Sequence, residues 1–467
     1  MKILLIRPPR RNAWDISLNI PPLGLAYIAA ATRASGHQVE ILDCYALRWS
    51  WSRFTEEMKL KKVDVIGFSA MTPVWDVVDK AIQICRNSAD KIVIGGPHPT
   101  ACREQVFQDC AQIDAAVIGE GEESFPALLR WWEEGSLEAD RPAGVLFPDL
   151  YYQEASVPKI EQILRPARDL LPNEKYRYLL SSKKRVGTMI TSRGCPFRCS
   201  FCDKSVSGSS WRARKASDVV DEMQDMIENF DIGFINIYDD NFLLNRRRVL
   251  EICQEILRRS LRVSWKCEGR VDGVDQELLS WMERAGCEMI AFGVESGNEE
   301  SLQLLRKDIS IAQTRKAFAL MRKTKIKSLA YMILGVPGET IEDVNNSIRF
   351  CDEIGVDYVQ FSSLTAMPGT EIGTIYPKQI SVPNPLDADI ARETISSLSQ
   401  EELASLMKKA WLGFYGRPGK IKQLSKNVIQ SGYLSEGARS VASFFRWYWD
   451  ERSHQVSSKS FSRASEA

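Results

Sequence analysis

The chain of 467 residues carries no net charge, because 61 Lys and Arg residues balance 61 Asp and Glu residues. Proteins that bind nucleic acid through their overall charge are basic, so we expect no nucleic-acid partner. The sequence contains no run of about 18 uninterrupted apolar residues, which predicts no membrane-spanning helix. The apolar run within Met1–Arg7 is too short for a secretory signal peptide. These absences together predict a cytoplasmic protein.

Histidine is also scarce, with three in the chain, whereas cysteine is not, with 11. Cysteines in a chain without a secretory signal indicate a reducing compartment rather than a disulfide framework. Three of them fall within Thr191–Asp203 at C-x-x-x-C-x-x-C spacing. We interpret most of the others as small core residues, and they are scattered along the chain at Cys44, Cys85, Cys102, Cys110, Cys253, Cys267, Cys287 and Cys351.

The three close cysteines, Cys195, Cys199 and Cys202, follow an apolar run at Val186–Thr191 that predicts a strand. A loop of this spacing can hold three thiolates on one side of an iron–sulfur cluster, which normally takes four, so one iron would stay open. The alternatives are a zinc knuckle, a disulfide pair or three buried thiols. A structural zinc site needs four ligands, commonly in two pairs, and no Cys or His pair follows at suitable spacing.

Short apolar segments in the first third of the chain alternate with helical patterns, which predicts a doubly wound parallel α/β sheet. The predicted strands are Lys2–Ile6, Gln38–Leu42, Val63–Ser69, Lys91–Ile94 and Ala115–Ile118. Several end in glycine-rich turns, which allow the backbone to approach a large ligand. None matches G-x-G-x-x-G, so a dinucleotide is not indicated.

Six further strands alternate with helices after residue 186 and predict six βα units, which close only part of a barrel. They are 186–191, 233–238, 262–268, 289–293, 328–334 and 358–362. Prolines punctuate residues 146–185, which we interpret as a linker with small strands. Helical patterns cover Ser397–Trp411 and continue to about Gln430. The aromatic side chains of Val441–Trp449 could wall a pocket, touch a membrane surface or pack on the barrel, and we expect the Ser-rich last dozen residues to be disordered.

The cysteine loop resembles the cluster motif of the radical S-adenosylmethionine superfamily. The opening strand with Pro8-Pro9, Pro21–Gly24, Gly95–His98 and Gly119–Glu122 resembles the cobalamin-binding domain of the cobalamin-dependent members. The resemblance implies a 4Fe-4S cluster, S-adenosylmethionine on the open iron, and cobalamin. It implies a cobalamin domain at 1–145, a linker at 146–185, a radical core of (β/α)6 type at 186–375 and a helical region at 376–467. Many such cobalamin domains use an Asp-x-His-x-x-Gly loop to ligate cobalt, but no histidine here has that context.

The resemblance also implies roles for individual residues. The cluster ligands are Cys195, Cys199 and Cys202, the residues that contact S-adenosylmethionine are Asp239, Asp240, Arg270, Glu295, Gly335 and Gly338, and those that contact cobalamin are Pro9, Gly24, Ser69, Gly95, Gly96, His98 and Glu120. Each polar residue has a plainer alternative. His98 could be a turn histidine bonded to backbone, Glu120 and Glu122 could begin a helix, Asp239–Asn241 could cap one, and Arg270 could form a surface ion pair. The turn Gly335–Glu339 could simply join a strand to a helix.

Three functions fit the resemblance. The first is a methyltransferase that uses a 5′-deoxyadenosyl radical and methylcobalamin to methylate an unactivated carbon. Its small-molecule substrate would be a large hydrophobic metabolite, such as a tetrapyrrole or polycyclic lipid, and flavodoxin or ferredoxin would supply the electron. The second is a cyclase or oxidase like the anaerobic Mg-protoporphyrin monomethyl ester cyclases, and the third is a cobalamin sensor with a structural cluster. The tail lacks the strands of an RNA-binding appendage, which counts against a transfer-RNA methylthiolating enzyme.

Overall fold

The computed structural model describes residues 1–11, 19–178, 180–183, 185–377 and 394–430. The aromatic segment at 441–449 and the Ser-rich tail, for which we stated expectations above, lie outside the described residues. Within the described residues, no helix has both the length and the apolar character needed to cross a membrane.

The N-terminal part of the described chain forms one six-stranded sheet with strand order β2-β1-β3-β4-β5-β6. Neighbouring strands are parallel except for β6, which pairs antiparallel with β5. The strands are β1 (Lys2–Arg7), β2 (Gln38–Asp43), β3 (Val63–Ser69), β4 (Ala89–Gly95), β5 (Ala115–Val117) and β6 (Val145–Leu146). The order reverses at β1, so the carboxyl ends of the strands flank a crevice of the kind in which doubly wound sheets bind ligands.

Helices cover both faces of this sheet, because its strands are apolar on both sides. Leu4 and Ile6 of β1 pack into one buried cluster, and Ile3 and Leu5 pack into the cluster on the opposite face. The helices of this part are α1 (Leu23–Ala34), α2 (Cys44–Leu47), α3 (Trp51–Leu60), α4 (Trp75–Cys85), α5 (Pro97–Cys102), α6 (Gln105–Asp109) and α7 (Gly121–Glu133). The predicted doubly wound α/β sheet is confirmed.

A second sheet of six strands, all parallel, forms the middle of the described chain in the order β14-β13-β12-β11-β10-β7. Its strands are β7 (Val186–Met189), β10 (Phe234–Ile237), β11 (Trp265–Gly269), β12 (Cys287–Glu295), β13 (Lys327–Leu334) and β14 (Tyr358–Ser363). The helices are α8 (Ala216–Phe230), α9 (Arg246–Arg258), α10 (Gln276–Arg284), α11 (Glu299–Leu304), α12 (Ile311–Met321), α13 (Ile341–Ile354), α14 (Glu371–Ile375), α15 (Gln400–Tyr415) and α16 (Pro418–Gln430). The six predicted units of the partial barrel are confirmed, and the described part of the C-terminal region, 394–430, contains the expected helices.

The two faces of the second sheet differ in what covers them. Its outer face and the helices share a large apolar core. A smaller apolar cluster, which includes Val186, Phe234 and Leu329, lines the inner face and forms the floor of the partial barrel. The edge strands β7 and β14 do not pair with each other in the part of the chain that the structure describes, so the sheet does not close into a complete barrel.

Three local features differ from the sequence-based expectations. The strand predicted at Val186–Thr191 ends at Met189, and the chain then forms a two-stranded antiparallel ribbon from β8 (Ser192–Arg193) and β9 (Arg212–Ala213). The described residues of the 146–185 linker contain short 3-10 turns, and their one strand residue is Leu146, in β6. The strand β6 spans the boundary predicted between residues 145 and 146. The domain limits themselves stay predictions.

Candidate functional site

The cysteine loop begins where β8 ends, and a glycine fixes its first turn. Gly194 has a φ of +83°, a conformation that favours glycine, and a Cβ at this position would lie 2.3 Å from the carbonyl oxygen of Ser210. The Gly194 N–H donates a 2.8 Å hydrogen bond to Asp240 Oδ2. The loop is held further by the Ser200 N–H, which donates to the Leu305 carbonyl. Its cysteines are all free thiols.

A cavity of about 390 Å³ lies between this loop and the carboxyl ends of the N-terminal strands. That volume falls in the range of small-molecule and cofactor sites. Cys195, Cys202 and Asp240 line it on the loop side. On the other side, the lining includes five of the residues predicted to contact cobalamin, namely Gly24, Ser69, Gly95, Gly96 and Glu120. The structure therefore brings these predicted residues together.

His98 and Pro9 are not among the lining residues of this cavity, although both are buried. The His98 ring stacks on Trp75 at 4.5 Å, and its Nδ1 lies 3.1 Å from the Thr72 hydroxyl. Burial lowers the pKa of His98 to about 4. His98 therefore packs beneath the turn as a neutral ring with a side-chain partner, and its predicted contact with cobalamin stays a prediction.

Arg193, for which the sequence suggested no role, joins the cysteine loop to the N-terminal sheet. Its guanidinium donates to Glu120 at 2.7 Å and to Glu122 at 2.5 Å, and Arg212 also pairs with Glu120. Burial acts to lower the pKa of Arg193, but the charges of Glu122 and Glu120 outweigh it and raise that pKa. Glu120 thus lines the cavity with its carboxylate paired to arginine. Neither the hypothesis of a cobalamin contact nor that of a helix start included this pairing.

The two aspartates after β10 have different environments. Asp239 is 2% exposed, and its carboxylate accepts hydrogen bonds from the backbone and hydroxyl of Thr191 and from the Ser192 hydroxyl. Asp240 faces the cavity, and burial raises its pKa while the bond from Gly194 acts to lower it. Of this pair, Asp240 is therefore available to a ligand, whereas Asp239 holds the strand that leads into the cysteine loop.

Arg270 supports the loop from below. It is buried, it donates to the carbonyls of Lys307 and Asp308 and to the carboxylate of Asp272, and its guanidinium lies 3.7 Å from the ring centre of Phe197. Four of its five N–H donors are bonded to the chain itself, and the predicted pairing of this planar fork with a ligand carboxylate stays a prediction. Its contact with Phe197, between the first two cysteines, positions the loop.

Glu295 lies beside the second cysteine. Its backbone has a φ of +65°, which is strained for a residue with a side chain, and its carboxylate pairs with Lys307 at 2.6 Å. Burial acts to lower the pKa of Lys307, but the charges of Glu295 and then Cys199 outweigh it and raise that pKa. The Glu295–Lys307 pair therefore places a buried ammonium group next to Cys199, and sequence reasoning did not find Lys307.

The glycines of the late turn face another part of the chain. The Gly335 N–H donates to Glu339, and a Cβ on Gly335 would lie 2.9 Å from the Leu403 side chain of α15. The Gly338 N–H donates to the Ser397 hydroxyl. The turn is thus packed against the segment that leads into α15, and its predicted contact with adenine stays a prediction.

The residues present fit the implied cofactors. Three free cysteines in one loop supply the soft sulfur ligands that an iron–sulfur cluster requires. The cavity beside them is lined by glycines at Gly24, Gly95 and Gly96, which leave room for a ligand to approach the backbone. A Cβ on Gly96 would lie 2.9 Å from the Ala70 carbonyl and the Ser69 hydroxyl, so this part of the wall requires glycine.

Comparisons with known proteins agree with this site. The radical SAM superfamily model matches residues 189–351, and the B12 binding domain model matches residues 14–129. An uncharacterized methyltransferase of Pyrococcus horikoshii is 30% identical over 474 aligned positions, and the match covers 96% of this chain and 99% of the relative. An anaerobic magnesium-protoporphyrin IX monomethyl ester cyclase of Rubrivivax gelatinosus is 30% identical over 385 residues, which cover 80% of this chain and 69% of the relative.

A solved structure has the same fold. The radical S-adenosylmethionine methyltransferase TsrM of Kitasatospora setae, with cobalamin and a [4Fe-4S] cluster bound, matches with a TM-score of 0.67 and 19% identity over 88% of this chain and 81% of that one. The comparisons indicate an enzyme, which sets aside the sensor hypothesis. They also support the predicted 4Fe-4S cluster, S-adenosylmethionine and cobalamin as its cofactors. This chain belongs to the cobalamin-dependent enzymes of the radical S-adenosylmethionine superfamily.

Proposed function

We propose that this enzyme is a C-methyltransferase that methylates an unactivated carbon of a large ring-containing metabolite. The observation that carries the proposal is the shared cavity, where the cobalamin-type crevice of the N-terminal sheet meets Cys195 and Cys202. Two cofactors that open onto one space can act on one substrate in turn. The relative from Pyrococcus horikoshii, which is named as an uncharacterized methyltransferase and matches over nearly its whole length, supports this choice.

When bound, the three cofactors supply a carbon-centred radical and a methyl donor, which are chemistry that protein side chains lack. The residues of this chain would bind, orient and shield them. Cys195, Cys199 and Cys202 would hold the cluster through sulfur. Asp240, which lines the cavity, would accept a hydrogen bond from the ammonium group of S-adenosylmethionine.

The Glu295–Lys307 pair and the Arg193 ion pairs would keep this region rigid and dry. Their side chains are mostly buried, so they exclude water from the back of the loop without presenting an unpaired charge. Exclusion of water matters for radical chemistry because it prevents side reactions of reactive intermediates. An external one-electron donor, such as flavodoxin or ferredoxin, would reduce the cluster.

A second candidate function is ring formation or oxidation without methyl transfer. The relative from Rubrivivax gelatinosus, named as a magnesium-protoporphyrin IX monomethyl ester cyclase, favours it at the same 30% identity. Both functions would use the same cofactors, so only the fate of the methyl group separates them.

The experiment is anaerobic reconstitution of the full chain with iron, sulfide and cobalamin, followed by incubation with a low-potential reductant and methyl-labelled S-adenosylmethionine. Tetrapyrroles and polycyclic lipids are supplied as substrates. A product heavier by one labelled methyl group, together with 5′-deoxyadenosine, supports the proposal. An unlabelled product with an additional ring or oxygen function supports the cyclase candidate, and the absence of 5′-deoxyadenosine under strong reduction contradicts both.

A further inference from the structure

A layer of polar side chains crosses the inner face of the second sheet, directly above its apolar floor. Thr188 of β7, Asn236 of β10 and Lys266 of β11 are neighbours in register, so their side chains share one face. Thr188 and Asn236 stand two residues beyond Val186 and Phe234 of the floor, toward the carboxyl ends of the strands. All three polar residues are at most 2% exposed. Burial of polar groups in a sheet interior is costly unless they have partners, so the layer requires an explanation.

The protein itself satisfies only part of this layer. Among the described residues, neither amide atom of Asn236 has a hydrogen-bond partner of normal geometry, and the Thr188 hydroxyl has none either. Tyr238 lies near enough to Asn236 for the amide to lower its pKa. Burial has the larger effect and raises that pKa, so the Tyr238 hydroxyl keeps its proton. Buried polar groups without partners are few in native proteins, and each one points to strain, water or a ligand.

Glu268 lies two residues after Lys266 on the same face of β11, near the end of the strand, and is the accessible residue beside this layer. Lys266 Nζ donates to Glu268 Oε1 at 2.8 Å, and the Tyr331 hydroxyl donates to the same oxygen at 2.9 Å. The Glu268 side chain keeps 25% of its surface exposed, whereas that of Lys266 keeps 2%. No described residue donates a hydrogen bond to the other oxygen, Oε2. One carboxylate oxygen is therefore fixed by the protein and the other is open to a ligand.

Glu268 lies near the carboxyl end of β11, at the same edge of the sheet as Asp240. Asp240, which lines the cavity with Cys195 and Cys202, follows the neighbouring parallel strand β10, so the two carboxylates stand at adjacent strand ends. In the other direction, Tyr331 is the register partner of Gln360, which is exposed on the edge strand β14. Across the sheet, Glu268 therefore stands between the cavity-lining Asp240 and Tyr331, whose hydroxyl bonds to it.

Aromatic rings surround this position. Lys266 Nζ lies 5.8 Å from the ring centres of both Tyr178 and Tyr238, and Tyr331 contributes a third ring. Flat apolar surfaces of this kind suit a flat ring. Because Lys266 balances the charge of Glu268, this pair is neutral and gives a cation little advantage.

We propose that Glu268 anchors the substrate by accepting a hydrogen bond at Oε2 from a neutral N–H or O–H group on a flat ring. This inference rests on the proposed function and narrows its substrate class. It favours a tetrapyrrole-like or other nitrogen-containing ring over a polycyclic hydrocarbon, which would leave the open oxygen unused.

The test uses three probes on the full chain reconstituted with cluster and cobalamin, with affinities measured by ligand-observed NMR. Indole carries an N–H donor, 1-methylindole lacks it, and benzylamine is a cation. A hydrogen bond to a charged group corresponds to a preference of about tenfold to a hundredfold. We expect indole to bind at least about tenfold more tightly than either other probe. Equal affinity for indole and 1-methylindole would overturn the proposal, and tighter binding of benzylamine would overturn its neutral-donor part.

The decisive variant is Glu268→Gln. In that variant the amide oxygen would accept the bonds from Lys266 and Tyr331, so the open position would present a donor instead of an acceptor. We expect the preference for indole over 1-methylindole to fall to within about twofold, a loss close to the value of one hydrogen bond. The matched control Glu353→Gln removes a carboxylate from the exposed pair with Arg315 and should leave the preference unchanged.

Cofactor content shows whether each variant is folded. If Glu268→Gln fails to bind the cluster and cobalamin, Glu268→Asp replaces it, because aspartate keeps the charge beside Lys266 but withdraws the open oxygen by one methylene. The preference for indole should then also fall, and an unchanged preference in a folded variant would contradict the proposal. Cleavage of S-adenosylmethionine is measured separately, so a failure of the proposed function is distinguishable from a failure of this anchoring role.

Discussion

Arg193 Nη1 lies 2.7 Å from Glu120 Oε2, and this ion pair joins the cysteine loop to the N-terminal sheet. The two side chains keep 8% and 3% of their surface exposed. Placing charges in such an environment is costly, and removing one partner costs more because it leaves the other charge buried and unpaired. The pair therefore gives a direct way to test how firmly the two halves of the site are connected.

Replacing Arg193 with methionine should destabilise the protein strongly. Methionine preserves the length of the side chain but leaves Glu122 without its arginine partner, and loss of one partner of a buried pair costs about 3–5 kcal/mol. Thermal denaturation of the Arg193→Met variant would show a lowered midpoint, and cobalamin retention on gel filtration should fall with it. The control Arg315→Met breaks an exposed pair with Glu353 and should not shift the midpoint measurably. Equal shifts in both variants would contradict the structural role of Arg193.

Two glycines of the cysteine loop should tolerate alanine very differently. Gly194 and Gly208 both have positive φ, at +83° and +71°, but a Cβ on Gly194 would meet the Ser210 carbonyl at 2.3 Å, whereas a Cβ on Gly208 has nothing within 4 Å. Gly194→Ala should therefore displace the loop and lose most of its iron after reconstitution. Gly208→Ala should retain nearly all of it, because it carries only the backbone cost of about 1 kcal/mol. Iron analysis that gives the two variants the same content would refute this distinction.

Cys199 should be required for the cluster but not for cobalamin. A cluster of the predicted type holds about four irons per chain. Cys199→Ala should abolish the broad brown absorption and reduce iron to a small fraction. Cobalamin binding should remain intact, because Cys199 is not among the residues that line the cavity beside the cysteine loop. Cys351→Ala is the control, since Cys351 is a buried thiol on α13. A full cluster in Cys199→Ala, or zinc in place of iron in the wild type, would show that the ligand assignment is wrong.

His98 should make the protein sensitive to acid. Burial lowers its pKa to about 4 from an ordinary value of 6.5, so the unfolded chain takes up a proton first as the pH falls. The stability that neutral His98 contributes is therefore complete above pH 6.5 and is lost progressively as the pH falls toward 4. His98→Gln can keep a bond to the Thr72 hydroxyl without titrating. The thermal midpoint of this variant should fall less than that of the wild type across this range, and parallel curves would exclude the effect.

Much of the fold followed from local patterns in the sequence. The strand predicted at Val63–Ser69 has those bounds in the structure, and the six strands of the second sheet lie within a few residues of their predicted positions. Apolar runs that end at glycine or acidic residues carry this information because buried parallel strands need side chains that are apolar on both faces. The antiparallel strand β6 has only two residues, too few to produce a pattern.

The site was predictable where its residues form one motif and not where they meet across the fold. The three cysteines lie within eight positions of the chain, so their spacing alone indicated a cluster. Arg193 pairs with carboxylates more than seventy residues away, and Lys307 pairs with Glu295 across helix α11, so no spacing rule indicated either one. One signal was available for Arg193, since a basic residue just before the motif needs a partner if it is buried, and Glu120 and Glu122 are acids that follow the last parallel strand of the preceding domain. Arg270 shows the converse, because a fork that looked free in the sequence is occupied by backbone carbonyls.

The position of Arg193, two residues before the first cysteine, also has a consequence for synthesis. Glu120 and Glu122 leave the ribosome before Arg193 does, so the carboxylates that receive the arginine stand on a sheet whose strands have already been made. Domains fold as units during translation, with the N-terminal one first. The first half of the protein thereby acts as a template on which the metal-binding turn is shaped, and a defect far upstream in the N-terminal sheet would appear in the purified enzyme as a shortage of iron.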